Sequence, residues 1–159
     1  MKKKILLSLL AILVIIQFIR PARNLSNEVS ANDITRLYAV PQDVQQVLKV
    51  SCNDCHTNNT VYPWYTNIQP VGWWLQWHVN EGKGHLNFST FGSYEPKRQH
   101  HKMEEVVEMV DTNEMPLNSY LWVHKDAKLT AEQKTLLLNW ANQLKNEIAQ
   151  KHNIVEEKK

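Results

Sequence analysis

The sequence predicts an all-α fold. Apolar residues recur at spacings of three and four in several segments, the period of a helix with one buried face. Alternating runs typical of strands are few, and a capping-box sequence from Thr130 to Gln133 opens the last periodic segment. A chain of 159 residues has room for one ordinary globular domain and a short appendage.

Residues 1–23 differ from the rest of the chain. Three lysines at positions 2–4 precede an apolar run at 5–19, and Arg20 and Arg23 follow it, a pattern typical of an export signal. No small-residue cleavage pattern follows the run, so we expect a retained membrane-anchor helix with a cytoplasmic N-terminus. The run spans about 22 Å, less than the roughly 30 Å hydrocarbon core, so it requires snorkelling side chains or a thinned bilayer. Cleavage that releases the domain is the alternative.

The charge balance separates this segment from the remainder. It holds five of the 18 basic residues and none of the 16 acidic ones, which leaves 13 against 16 in residues 24–159. No basic patch indicates nucleic-acid binding. We expect a spacer at 24–40, the globular domain at 41–150 and a charged, frayed tail at 151–159.

Two helices are predicted in the first half of the domain. One starts near Pro41 and places Val44, Val47 and Leu48 on one apolar face that leads into residue 52. The other occupies residues 71–81 and ends at the glycines of positions 82–84.

Two more helices are predicted in the second half. One begins at Glu95-Pro96, carries an apolar stripe through residues 103–110 and stops at 111–113. The other follows Thr130 and presents a stripe of leucines and Trp140. Long loops at 57–70 and 113–128 separate these helices, which indicates that a large group organises them.

The motif Cys52-Asn53-Asp54-Cys55-His56 matches C-x-x-C-H, the c-type haem attachment pattern. Two cysteines three residues apart reach both vinyl groups of one porphyrin, and the following histidine offers an imidazole nitrogen to iron. We therefore expect one haem c, bound covalently through Cys52 and Cys55, with His56 as the proximal ligand.

Three other uses of the two cysteines fit less well. A structural zinc site needs four ligands, and neither a second C-x-x-C nor an H-x-x-x-H pair is present. A thioredoxin-like dithiol lies among alternating strands and helices, which this chain lacks. A disulfide across two intervening residues would constrain almost nothing.

Met115 is the expected sixth ligand of the iron. It lies in the loop Asn113-Glu114-Met115-Pro116-Leu117, where no helical stripe requires a methionine, whereas Met103 lies on an apolar helix face. His124 or another histidine is the first alternative, and an open coordination position is the second.

Six tryptophans are many for a domain of this size. Trp140 fits the core of the last helix. We expect a wall of the haem pocket from five other aromatic residues: Trp73, Trp74, Trp77, Tyr62 and Trp64. The segment that holds Pro63 and Pro70 is expected to supply the backbone carbonyl that accepts the second imidazole proton of His56.

Several motifs together resemble the haem-binding domain family, exported monohaem relatives of the cytochrome c superfamily. The resemblance covers about residues 40–144. It rests on the attachment motif with Thr57-Asn58 and on five further groups: Tyr62-Pro63-Trp64-Tyr65, Pro70-Val71-Gly72-Trp73-Trp74, Leu86-Asn87-Phe88-Ser89, Met115-Pro116-Leu117 with Tyr120, and His124 ahead of Leu129-Thr130. It implies haem binding at Cys52, Cys55 and His56, and its Met-Pro sequence favours Met115.

The whole sequence therefore predicts a cytochrome c-like helical domain around one covalent haem, preceded by an N-terminal anchor helix. We expect one-electron transfer on the periplasmic side of the cytoplasmic membrane, with a redox protein as partner, rather than enzymatic turnover. A haem-based sensor or ligand-binding module is the alternative, and a haem peroxidase is a weaker one.

Overall fold

The structure is a computed structural model that describes residues 1–26 and 28–155. In that part of the chain all regular elements are helical, which confirms the predicted all-α class. The α-helices are α1 (Lys2–Ile16), α2 (Ile34–Leu37), α3 (Gln42–Ser51), α4 (Asn53–His56), α5 (Val71–His85), α6 (Pro96–Asp111), α7 (Asn118–Leu121) and α8 (Ala131–His152). Short 3-10 helices occupy Trp64–Asn67, Phe88–Ser93 and Lys125–Ala127.

The core lies where α3, α6 and α8 meet the 3-10 segment Phe88–Ser93. Its members share near-complete burial and include Val44, Val47, Leu48, Phe91, Met103, Leu137, Trp140, Leu144 and Ile148. Helix α8 begins at the predicted capping box, in which the Thr130 hydroxyl accepts from the Gln133 N–H and the Gln133 side chain accepts from the Thr130 N–H. The α3 and α8 faces predicted from periodicity are the faces that are buried.

Helix α5 runs past the glycines that were expected to end it. It continues through Gly82 and Gly84 to His85. A Cβ on Gly82 would lie 2.7 Å from the Cys55 carbonyl oxygen and 2.9 Å from the Cys55 Cβ. Gly82 therefore allows α5 to pack against α4, and the prediction that it caps the helix was wrong.

Two segments predicted to be irregular contribute to the fold. In the predicted spacer, Ile34 on α2 and the following Tyr38 are buried in the core, and the Tyr38 hydroxyl donates to the buried Gln99 side chain at 2.6 Å. In the predicted tail, α8 continues to His152 and Ile154 packs against the core. Residues 156–159 of that tail lie outside the described residues.

Helix α1 coincides with most of the predicted anchor run. It buries no side chain against the rest of the protein. Among the residues that the structure describes, no helix combines the length and the apolar character needed to cross a membrane, so the expected anchor helix is not supported.

Candidate functional site

The attachment motif forms one helical turn directly after α3. Cys52 closes α3, and its carbonyl oxygen accepts from the N–H groups of Cys55 (3.2 Å) and His56 (3.0 Å). Residues three apart on a helical turn are neighbours, and the two thiols are close enough to interact electrostatically. Cys52 packs against the hydrophobic core, and Cys55 lines an apolar cleft. Neither cysteine forms a disulfide.

His56 is oriented by a backbone carbonyl. Its Nδ1 lies 2.9 Å from the Leu86 oxygen, just beyond the end of α5, and since a carbonyl only accepts, Nδ1 carries the proton. The unprotonated Nε2 is then left for a metal, which is the usual arrangement of a ligating histidine. The expectation that the segment with Pro63 and Pro70 supplies this carbonyl was wrong, because α5 returns Leu86 to the imidazole.

Burial favours the neutral forms of all three motif side chains. It lowers the pKa of His56 despite the opposing backbone hydrogen bonds. It raises the pKa of Cys52 to about 12, assisted by repulsion from Cys55, and that of Cys55 to about 11, assisted by the charge of Asp54. A reactive dithiol or a thiolate metal ligand requires a lowered cysteine pKa. A thioether sulfur carries no charge and suits this environment.

An apolar cleft opens beside Cys55, between α4, α5 and α7. Its apolar lining comes from Val61, Tyr65, Val71, Trp74, Leu75, Val79, Leu117 and Val123. Polar groups enter it from Asp54, Thr60, His78, Ser119, Tyr120 and His124. The exposed part of the lining is almost wholly apolar, as the binding surface of a large flat apolar group should be.

The five aromatic residues predicted for a haem pocket occupy different places. Trp74 lines the cleft. Trp73 donates its indole N–H to the Ile19 carbonyl at 2.7 Å, and the Tyr62 hydroxyl donates to Gln76. Trp77 stacks edge-on against His78, and Trp64 is 75% exposed. A haem contact by any of the five side chains stays a prediction.

The two candidates for the sixth ligand also differ in their surroundings. Met115 is half-buried, and its N–H donates to the Met109 carbonyl at the end of α6 (3.0 Å). His124 lines the cleft, stacks on Tyr120 with ring centroids 4.0 Å apart, and places Nε2 3.2 Å from the Tyr65 hydroxyl. Either assignment stays a prediction.

A pair of residues that sequence reasoning did not single out joins the motif to the far wall of the cleft. The Tyr120 hydroxyl donates to the Asp54 carboxylate at 2.9 Å. Burial raises the pKa of Tyr120, and the negative charge of Asp54 raises it further. The proximity of Asp54 to the cysteines was visible in the sequence, but its partner 66 residues away was not.

The donor set fits a c-type haem. An imidazole oriented through Nδ1, two neutral thiols three residues apart and an apolar cleft beside Cys55 are groups that such a cofactor requires. In the part of the chain that the structure describes, no group of three or more His, Cys, Asp or Glu side chains is arranged to hold a metal ion alone.

One of three comparisons with known proteins found a match, and it supports haem binding. Searches of the curated proteins and of the solved structures found no significant match. The family model described as "Haem-binding domain" matches residues 11–143, most of the chain. The chain therefore belongs to the haem-binding domain family.

Proposed function

We propose that this protein binds one haem c through thioether bonds to Cys52 and Cys55 and transfers single electrons outside the cytoplasm. The observation that carries the proposal is the hydrogen bond from His56 Nδ1 to the Leu86 carbonyl, made on the turn that holds both thiols. This bond orients the imidazole and leaves Nε2 as an iron ligand. The domain is then a cytochrome c-like helical fold.

The bound haem supplies a one-electron Fe(III)/Fe(II) couple, and the chain's own residues set the conditions for it. The Leu86 carbonyl increases the basicity of His56 by accepting its Nδ1 proton. The apolar walls of the cleft, Trp74 and Leu75 among them, would keep water from one face of a haem bound there. Low solvent access disfavours the more charged ferric state and raises the potential.

We propose Met115 as the sixth ligand. Both ring nitrogens of His124 lie within 3.2 Å of protein oxygens, those of Tyr65 and Tyr120, which supports a role for His124 as part of the cleft wall. Leu117, two residues after Met115, lines the cleft, so the Met115 loop reaches the site. A thioether favours ferrous iron and blocks the position where oxygen or peroxide would bind, which suits electron transfer.

Export is part of the proposal. The three lysines before an apolar helix favour translocation of the domain, with α1 as a retained membrane attachment and a redox protein on the outer side as the partner. Salt washing of isolated membranes is expected to leave the protein bound. Recovery of all the protein in the soluble periplasmic fraction, with a mature N-terminus near residue 24, would show a cleaved signal instead.

The experiment that tests haem attachment uses the full chain matured in a host that assembles c-type cytochromes. Haem is expected to remain on the polypeptide after acid–acetone extraction and denaturing electrophoresis. Complete extraction of the haem colour would refute covalent attachment. Reversible one-electron reduction by a dithionite titration would then support electron transfer.

Spectra of three variants test the sixth ligand. The oxidised wild type is expected to show the weak long-wavelength band of a sulfur–ferric bond, and Met115→Ala should abolish this band and open the iron to carbon monoxide. Met109→Ala, which removes a methionine but keeps the backbone carbonyl that Met115 contacts, is the matched control. If His124→Ala alone changes the spectrum, the protein is a bis-histidine cytochrome.

One observation favours a second function, that of a haem-based sensor or ligand-binding module. The Tyr65 hydroxyl lies 3.2 Å from His124 Nε2 at the cleft, where these two groups would hydrogen-bond a small polar ligand that displaced their mutual contact. Rapid and complete binding of carbon monoxide by the wild type would favour this function, or a peroxidase, over electron transfer.

A further inference from the structure

Residues 17–24, which the sequence places in the anchor and at the start of the spacer, are attached to the haem domain along their length. We name them the N-terminal strap. At its start, Gln17 makes two reciprocal hydrogen bonds with the backbone of Gln69, of 2.9 and 3.1 Å. Gln69 is only 2% exposed, so this contact is made to the domain's interior. In the middle of the strap, the Ile19 carbonyl accepts the Trp73 indole N–H.

Asn24 ends the strap, and each of its polar groups has a partner in the domain. Its N–H donates to the Tyr62 hydroxyl (2.7 Å), and its carbonyl accepts from the Thr60 N–H (3.0 Å). Its side-chain nitrogen donates to the Thr57 carbonyl (2.8 Å) and the Thr60 hydroxyl (2.9 Å). Its side-chain oxygen accepts from the Lys83 ammonium group.

These partners lead directly to the attachment motif. The Thr60 hydroxyl donates to the Asp54 carbonyl at 2.6 Å, and the Thr57 hydroxyl donates to the Asn53 carbonyl at 2.7 Å. Asn53 and Asp54 are the two residues between the cysteines. The Asn24 side chain is therefore linked through Thr57 to the Asn53 carbonyl and through Thr60 to the Asp54 carbonyl.

The same asparagine reaches the other wall of the site. Lys83 follows Gly82, the residue that allows α5 to contact Cys55. The Tyr62 hydroxyl, which accepts from Asn24, donates to the buried Gln76 on α5 at 2.8 Å. Asn24 thus connects the loop that follows His56 with α5, the helix that precedes Leu86.

We propose that Asn24 is a positioning residue of the haem site, and that the strap is retained in the mature protein because the site is incomplete without it. This inference rests on the proposed function, since it assigns Asn24 to the setting of the haem environment. Asn24 holds the 57–62 loop, which brings Thr60 and Val61 to the cleft, against α5. A loosened loop admits water to the haem edge and lowers the potential.

Asn24→Asp is the main test, made on the holoprotein. The carboxylate keeps the size of the side chain and an acceptor for Lys83, but it lacks the two N–H donors to Thr57 and Thr60. Amide hydrogen exchange at Thr60 and Val61 is expected to accelerate by about tenfold or more, as befits the loss of two hydrogen bonds. The midpoint potential is expected to fall, while covalent haem content stays unchanged.

Asn67→Ala is the matched control. Asn67 contacts the strap through Arg23 at 2.6 Å, whereas the hydrogen bonds to Thr57 and Thr60 come from Asn24, so neither exchange at Thr60 nor the potential should change. A wild-type potential and wild-type exchange in Asn24→Asp would overturn the positioning role. Absence of covalent haem from the wild type would instead refute the proposed function, which keeps the two failures apart.

The mass of the mature native protein gives an independent measurement. It is expected to include residues 17–24, whatever processing occurs before them. A mature N-terminus after residue 24 in protein with a normal haem spectrum would overturn the proposal even if Asn24→Asp failed to fold.

Discussion

The core of α3, α6 and α8 and the cleft of α4, α5 and α7 are built differently. The side chains of the core are buried by the protein alone, and Phe91 and Met103 have no exposed surface. The cleft leaves large apolar side chains in contact with solvent, such as Trp74 (47% exposed) and Val61 (73% exposed). Apolar side chains thus fill the core, whereas in the cleft they line an open surface.

This difference indicates how the two regions are stabilised. Burial of apolar side chains stabilises a fold by removing them from water, and in the core the protein achieves this alone. The cleft reaches comparable burial only against another apolar surface, which the proposed haem would provide. Haem attachment is therefore expected to stabilise the cleft more than the core.

The largest expected effect comes from removing both thioether bonds. Cys52→Ala combined with Cys55→Ala should abolish covalent haem, and amide exchange should rise most in α4, α5 and α7. Exchange in α6 and α8 should change little, because these helices contact each other, and α8 contacts α3, rather than the cleft helices. Hydrogen exchange with mass spectrometry measures both regions at once, and an equal loss of protection in them would contradict the comparison.

A core substitution should act with or without haem. Phe91→Ala removes a fully buried ring that packs edge-on against Tyr38 and Tyr94, and the free energy of unfolding should fall by about 3–5 kcal/mol. Denaturant unfolding of the haem-free and haem-bound proteins is the measurement. Trp122→Ala, at a side chain 70% exposed, is the control and should change the unfolding free energy by less than about 0.5 kcal/mol.

The cysteine pKa values predict slow alkylation of the haem-free protein. Because the pKa of Cys55 is raised from 9.0 to about 11, its thiolate fraction at pH 8 should be about 100-fold below that of the unfolded chain. The iodoacetamide reaction followed at several pH values measures this, in protein that keeps its helical circular dichroism. Alkylation as fast as in denaturant would indicate thiols in a solvated site.

The same shift has a consequence for stability with a definite sign. Because the pKa of Cys55 is raised, the folded state binds the thiol proton more tightly than the unfolded state does. The resulting contribution to the free energy of unfolding is complete below pH 9.0 and is lost as the pH rises towards 11. The haem-free protein is therefore expected to unfold more easily in that range. The holoprotein, whose thioethers do not titrate, should not show this loss.

The smallest effect concerns the start of α8. Thr130→Ala removes the side-chain cap that accepts from the Gln133 N–H, and the unfolding free energy should fall by about 1 kcal/mol. Thr135→Ala, at an exposed position inside the same helix, is the control and should be neutral or slightly stabilising. Thermal unfolding of the two variants distinguishes the cap from a general effect of removing threonine.

The helices that bury one face were predictable, because their signals are local. Periodicity located α3 and the buried Val44, Val47 and Leu48, and the capping box located the start of α8. The end of α5 was not predictable in this way. In the sequence, a glycine that ends a helix looks the same as a glycine that lets another helix pack closely. Only the contact between Gly82 and Cys55 in the folded protein distinguishes these two roles.

The sequence by itself determined the chemistry of the site, because two cysteines and a histidine at this spacing share one helical turn wherever the turn is placed. Only the tertiary structure decided what surrounds that turn. The Leu86 carbonyl and the Tyr120 hydroxyl reach it from 30 and 66 residues away. The Asn24 side chain reaches Thr57, the residue after the turn, from 33 residues away. The packing of α5, α7 and the N-terminal strap decides which groups surround the turn. A hydrogen bond between distant segments produces no periodic pattern in the sequence of either segment, so it could not be predicted.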